Sequence, residues 1–145
     1  MTALPGGGIA TGHGRPNVIR VWSGCGDLVA TLEGHTFTVM SLACSASGDV
    51  VSGSLDGSVK VWHDNTCVHT FQHGGWVYAV AACPLDGTIV SGGSEGDTKV
   101  WSTSTKKCVA TLEGHSDTIN SVCVLSNGDV VTGSGDMTLR VWVRG

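Results

Sequence analysis

Two sets of side chains in this sequence carry the groups of an acid–base relay. His35, Ser52 and Asp56 make one; His115, Thr132 and Asp136 repeat it at the same separations. An imidazole placed between a hydroxyl and a carboxylate is the arrangement that activates a serine nucleophile. A nucleophile must also be exposed beside a pocket, and one reaction needs one such site. The set recurs along the chain, and a repeated network offers no asymmetric centre, so it reads as structure rather than catalysis. The six cysteines (Cys25, Cys44, Cys67, Cys83, Cys108 and Cys123) contain no C-x-x-C pair. Zinc and redox sites need such close pairs, so no metal is expected and the cysteines are expected to pack as small hydrophobes. Gly6-Gly7-Gly8 and Gly74-Gly75 do not open helices, which leaves them as turn residues rather than a phosphate cradle. No cofactor is implied.

The elements that position these residues are legible as a repeat. Val-Trp recurs at Val21-Trp22, Val61-Trp62, Val100-Trp101 and Val141-Trp142. Ahead of each lies a small polar cluster: Thr11-Gly12-His13, Ser52-Gly53-Ser54, Ser91-Gly92-Gly93 and Thr132-Gly133-Ser134. Further upstream stand Gly34-His35, Gln72-His73 and Gly114-His115. Three parallel features at one period define a repeat architecture. Within His35 to Phe71, short β-branched runs alternate with turn clusters such as Ser45-Ala46-Ser47-Gly48-Asp49 and Leu55-Asp56-Gly57-Ser58. That pattern predicts four short strands per period. No window sustains an apolar period of about 3.6 residues, so helix is not expected.

The Gly-His, the Ser-Gly-Ser-x-Asp-Gly and the x-Val-Lys-Val-Trp together resemble the WD40 repeat family, and the resemblance covers essentially the whole chain. The literal Trp-Asp is absent, because Ser23, His63, Ser102 and Val143 follow the four tryptophans. The resemblance implies an all-β fold of propeller blades, each a four-stranded antiparallel sheet. It also implies a buried hydrogen-bond chain from Trp through Ser or Thr and His to Asp: Trp62, Ser52, His35 and Asp56 in one blade, Trp142, Thr132, His115 and Asp136 in another. Such a chain leaves no buried polar group unpaired. In the third period Trp101, Ser91 and His73 are present, but Glu95 stands at the Asp position, where it either reaches or yields to Asp97. In the first period Pro16-Asn17 replaces the acidic turn, and the histidine is expected to fall before Met1. Arg20, Lys60, Lys99 and Arg140, each two before a Trp, read as the solvent side of one strand.

Four blades are expected, over residues 1–33, 34–72, 73–113 and 114–145. The first has only a remnant opening strand at Thr2-Ala3-Leu4-Pro5, and the fourth lacks its outer strand. Such a chain does not seal a ring by itself. Further blades or self-association of copies would close it, since open edges and apolar faces otherwise meet solvent.

The 145 residues carry a formal charge of −4 and only 14% charged side chains. The dispersed basic residues argue against nucleic acid, and no stretch is long enough for a membrane span. An intracellular protein, cytoplasmic or nuclear, is the expectation. Function in such a scaffold lies in its loops, so the reading is a protein–protein interaction scaffold that docks a partner peptide or subunit. Candidate contacts are Phe37, Thr38, Trp76 and Asp117, in the loops entering each blade's first strand. Trp76 is the one tryptophan outside the repeat, and is either a partner anchor, or a lid on the blade top or a plug against the neighbouring blade. One alternative is a substrate-recognition part of a larger ubiquitin-pathway or signalling protein. The other, an enzyme with a central-channel pocket, would need acidic or metal-ligating residues converging at the axis, and none cluster in equivalent loops.

Overall fold

The alternation in Val59-Lys60-Val61-Trp62 shows how the chain builds its core, because neighbouring residues of a strand point to opposite faces and here both faces are used. In the computed structural model, which describes residues 1–145, the first sheet comprises β1 (Thr2–Ala3), β2 (Ile9–Gly12), β3 (Ile19–Trp22) and β4 (Leu28–Leu32). The second holds β5 (Val39–Cys44), β6 (Val50–Ser54), β7 (Ser58–His63) and β8 (Thr66–Gln72). The third holds β9 (Val77–Ala82), β10 (Ile89–Gly93), β11 (Thr98–Ser102) and β12 (Lys107–Leu112). The fourth has three strands, β13 (Ile119–Val124), β14 (Val130–Ser134) and β15 (Leu139–Trp142). All pairings are antiparallel between sequence neighbours, and the opening remnant pairs as Thr2 with Ala10 and Ala3 with Ile9. A 3-10 turn at Pro5–Gly7 is the only helical element.

The sheets stack face to face in chain order, and three apolar clusters lie between them. Ala10, Ile19 and Leu32 of the first sheet meet Val39, Leu42, Val50 and Trp62 of the second. Val51, Val59, Val61 and Phe71 on the other side of the second meet Val77, Val80, Ile89 and Trp101 of the third. Ala79 and Val90 then meet Ile119, Val122 and Val130. Val50 and Val51 are adjacent in sequence yet belong to different cores, which is why these strands read as nearly continuous apolar runs. The result is an open arc of four blades that does not close on itself.

Close stacking depends on a glycine in the second strand of each of the first three sheets. A Cβ on Gly53 would sit 2.6 Å from Val77 Cγ1 and 2.7 Å from Val80 Cγ1, and one on Gly12 2.8 Å from Val39 Cγ1. Gly92 faces Ile119 in the same way. Gly133, the equivalent residue of the fourth sheet, has nothing within 4 Å.

Two expectations need correction. Cys83 is buried, but Cys25, Cys108 and Cys123 are exposed, so half of the cysteines do not pack as core hydrophobes. Cys25 lies in a turn, Cys108 on an outer strand, and Cys123 on a strand of the end blade. The basic positions are not uniformly solvent-facing either. Lys60 is half-buried and donates to Thr70 Oγ1 at 3.0 Å, and Lys99 donates to the His73 carbonyl.

Candidate functional site

In the second blade the tight turn after β6 sets the acidic end of the relay. Asp56 Oδ1 accepts from the Ser58 amide (2.9 Å) and hydroxyl (2.6 Å), and Oδ2 from the Thr36 amide (3.0 Å). His35 Nδ1 lies 2.8 Å from Asp56 Oδ2, and its Nε2 lies 2.7 Å from Ser52 Oγ. Trp62 Nε1–H donates to the same Ser52 Oγ at 2.8 Å. An indole only donates and a carboxylate only accepts. The assignment that pairs every group therefore has Ser52 donating to Nε2 and a neutral His35 donating from Nδ1. Burial holds His35 below the ordinary histidine value, which Asp56 only partly offsets. For Asp56 burial works against the charge, but hydrogen bonds from Ser58, His35 and the Thr36 amide outweigh it and lower its pKa. The fourth blade repeats the geometry: His115 is 2.8 Å from both Asp136 Oδ2 and Thr132 Oγ1, and Trp142 Nε1–H donates to Thr132 at 2.9 Å.

This arrangement cannot serve as a nucleophile. Ser52 and Thr132 are fully buried, and each hydroxyl oxygen is already occupied by an indole N–H. No substrate carbonyl can reach either oxygen without dismantling the blade.

The other two blades depart from the pattern in ways that residue types did not reveal. In the third, Ser91 Oγ receives Trp101 Nε1–H at 2.7 Å and meets His73 Nδ1 at 2.9 Å. Glu95 does not reach the ring; its carboxylate accepts from Ser94 Oγ at 3.3 Å. Asp97, which occupies the place of Ser58, approaches His73 Nε2 only to 3.5 Å. His73 Nε2, Asp97 Oδ1 and Thr98 Oγ1 are left buried without hydrogen-bond partners. In the first blade the missing histidine is supplied locally rather than upstream: His13 Nε2 lies 2.9 Å from Thr11 Oγ1, which accepts Trp22 Nε1–H at 2.9 Å. His13 was visible in the polar cluster, but its offset differs from that of His35, so the spacing concealed it. The third-blade defect is correctable. Combining Glu95→Asp with Asp97→Ser recreates the turn chemistry of the second blade and is expected to raise stability by about 1 kcal/mol, read as an increase in urea midpoint at unchanged m-value.

The four contact candidates lie in equivalent loops on one face of the arc, although they do not converge. Each loop is pinned to the following turn of its own blade. Ser54 Oγ donates to the Phe37 carbonyl and the Leu55 amide to the Thr38 carbonyl. The Ser94 amide donates to the Trp76 carbonyl, while the Trp76 amide donates to Ser94 Oγ. Ser134 Oγ donates to the Asp117 carbonyl. Phe37 and Trp76 are 55% and 56% exposed, so Trp76 does not act as a buried plug; it meets Tyr78 edge-on at 6.4 Å between centroids. A shallow depression between Gly74, Gly75, Trp76 and Glu95 adjoins the turn at Leu55–Gly57.

An arc of antiparallel sheets, three of four strands and one of three, each with a Trp–Ser/Thr–His chain that two blades extend to Asp, defines a β-propeller repeat protein. The "WD domain, G-beta repeat" profile matches residues 26–63, 65–102 and 106–143, and the chain belongs to the WD40 family. Each matched window begins at or near one blade's outer strand and ends in the next blade, so sequence repeat and sheet are out of phase by one strand. The chain is 39% identical over 77 residues to phospholipase A-2-activating protein of Xenopus laevis, covering 52% of this chain and 10% of that protein. It is 33% identical over 122 residues to the probable coatomer subunit beta' of Schizosaccharomyces pombe, covering 79% of this chain and 15% of that one. The WD40 β-propeller domain of Doa1 superposes with a TM-score of 0.86 at 27% identity, over 97% of this chain and 48% of that chain. The chain thus spans a small part of the curated relatives it matches and about half of the solved domain. A WD40 propeller domain is in general a protein-interaction domain. No helix here is long and apolar enough to cross a membrane.

Proposed function

We propose that this chain is a docking scaffold whose loop face binds a peptide or subunit of a partner protein, with Phe37, Thr38, Trp76 and Asp117 as contacts. The observation that carries the reading is Trp76. It is a large amphipathic side chain, more than half exposed, on a loop held to Ser94 by two hydrogen bonds. A rigidly mounted aromatic loses little freedom on binding, and tryptophan is a preferred anchor of interfaces. The repeat tryptophans are committed to their relays, so Trp76 is free for recognition. Binding inside the cell, in cytoplasm or nucleus, belongs to the same proposal, as does service as the recognition part of a larger protein. The small share of the curated relatives that the chain covers supports that last reading.

Trp76→Ala is expected to weaken affinity for a partner protein recovered by pulldown on the parent chain by at least about 2 kcal/mol while leaving the melting temperature near that of the parent. Unchanged affinity together with a large drop in stability would assign Trp76 to packing instead.

A further inference from the structure

The turn between the first and second strands of a blade reaches across to the next blade. Pro5 stands four residues before β2, and its Cγ lies 3.3 Å from the place a Cβ on Gly48 would take. Leu85, four residues before β10, makes the same reach into the fourth blade, where its Cδ1 lies 3.4 Å from the Cβ position of Gly128. Asp86, the next residue, pairs there with Arg144, whose Cδ also lies against Gly128 at 3.2 Å. A leucine–aspartate pair thus bridges the third and fourth sheets.

Between the second and third sheets that bridge is missing. The equivalent residues are Ala46 and Ser47, both exposed. A Cβ on Gly87 would meet only the Thr103 hydroxyl of its own blade, at 3.6 Å. The space left is a groove of about 410 Å³, a volume in the range of ligand sites. Val51, Val61, Phe71 and Ile89 form its buried floor, and Val68 and Leu85, 50% and 61% exposed, its edge. Ala46, Ser47 and Gly87 all line it, so it occupies the place that a bridging side chain fills elsewhere.

The charges around the groove have one sign to spare. Asp49 is already engaged, accepting from Ser47 Oγ at 2.7 Å and lying 2.6 Å from His63 Nδ1. Thr103 holds the position of Arg144, each two residues after the Trp of its blade, and Lys106 follows in the same turn. Lys106 is exposed, lines the groove and has no ion-pair partner. An apolar floor beside an unpaired cation selects an apolar side chain next to a carboxylate.

We propose that the groove between the second and third blades docks a segment of a partner protein carrying a Leu-Asp pair. The leucine takes against Gly87 the place that Leu85 takes against Gly128, and the aspartate pairs with Lys106 as Asp86 pairs with Arg144. The turn Ser45–Asp49 follows β5, whereas the loop carrying Phe37 precedes it. The groove therefore opens at the opposite end of the strands from Phe37 and Trp76, and its occupancy is independent of the loop face.

The probe is fluorescein-labelled Ser-Pro-Leu-Asp-Gly-Thr, the chain's own residues 83–88 with serine for the cysteine, titrated into the chain by fluorescence anisotropy. Saturable binding with a Kd below about 1 mM is expected, and equal binding to Trp76→Ala. Ala46→Leu supplies the bridging side chain from within, at an exposed position. It is expected to weaken binding by about 10-fold or more, one decade of Kd, with no fall in melting temperature. Replacing the peptide's leucine by alanine is expected to abolish binding to the parent. Replacing its aspartate by asparagine is expected to cost the parent several-fold, but to cost Lys106→Gln nothing further. The proposal is overturned if no saturation is seen up to about 1 mM peptide, if folded Ala46→Leu binds like the parent, or if the aspartate and Lys106 losses simply add. It is equally overturned if light scattering shows the chain doubling in mass and the peptide reversing this, which would make a second copy the occupant.

Discussion

Gly53→Ala is expected to destabilise the protein by about 1–3 kcal/mol, whereas Gly133→Ala, at the equivalent position of the last blade, is expected to be neutral within about 0.5 kcal/mol. The added methyl at Gly53 would stand 2.6 Å from Val77 Cγ1 and 2.7 Å from Val80 Cγ1. Both valines are buried in the largest of the three apolar clusters, so neither can withdraw without opening it. Nothing approaches Gly133 within 4 Å. The two substitutions are chemically identical and occupy the same place in the repeat, so the difference between them isolates the cost of blade stacking from any change in strand propensity. Chemical denaturation of both variants is the measurement. Equal losses would mean that the glycines serve the strand itself and that the stacking account is wrong.

The second large effect belongs to the relay. His35→Ala is expected to cost about 1–3 kcal/mol, because Asp56 keeps its charge in a half-buried turn and Ser52 loses its acceptor. The same network makes stability depend on pH. Burial lowers the pKa of both His35 and His73, with the Asp56 and Asp97 carboxylates pulling the other way. Unfolded histidine takes up its proton near pH 6.5, where the folded rings stay neutral. The unfolded chain therefore binds more protons below that pH. The stability contributed by these rings is complete above about 6.5 and falls as the pH drops. His63 acts in the opposite direction, since its bond to Asp49 raises its pKa, but it is exposed and its effect is small. Below the ordinary carboxylate range a second loss follows, as Asp56 and Asp136 are held low, the latter first by its Thr138 hydrogen bond. The melting temperature is accordingly expected to fall between about pH 7.5 and 5, and His35→Ala to flatten part of that slope. A parent profile that is flat or rising toward acid would contradict it.

The elements most legible in the sequence were those where local and global signals coincide. Val-Trp at one period, a polar cluster ahead of it and an Asp-bearing turn between them (Asp56, Asp136) specify strand and turn at once, and the WD40 resemblance implies the relay that joins them. The second and fourth relays could therefore be written residue by residue. What stayed hidden was set by distances between chain segments. His13 takes the place of an upstream histidine by reaching Thr11 from two residues away, and no period exposes that. Asp97 rather than Glu95 turns toward His73 because one methylene redirects the carboxylate to Ser94. The role of Gly12, Gly53 and Gly92 is invisible along the chain, since the residues that need the space lie in the next blade. Of the contact candidates, the exposure of Phe37 and Trp76 follows from loop position, but the hydrogen bonds that hold Trp76 outward come from Ser94 in the following turn.

The central claim is that the His–Ser–Asp groups hold the blades together while recognition belongs to the loop face. It is tested most directly by measuring melting temperature and partner affinity side by side for His35→Ala and Trp76→Ala. The account predicts a crossed result: His35→Ala melts several degrees lower yet binds like the parent at a temperature where it is fully folded, and Trp76→Ala melts like the parent yet loses affinity by about 2 kcal/mol. A His35→Ala protein that melts normally but has lost its activity would contradict it, and would move the relay from scaffold to functional centre.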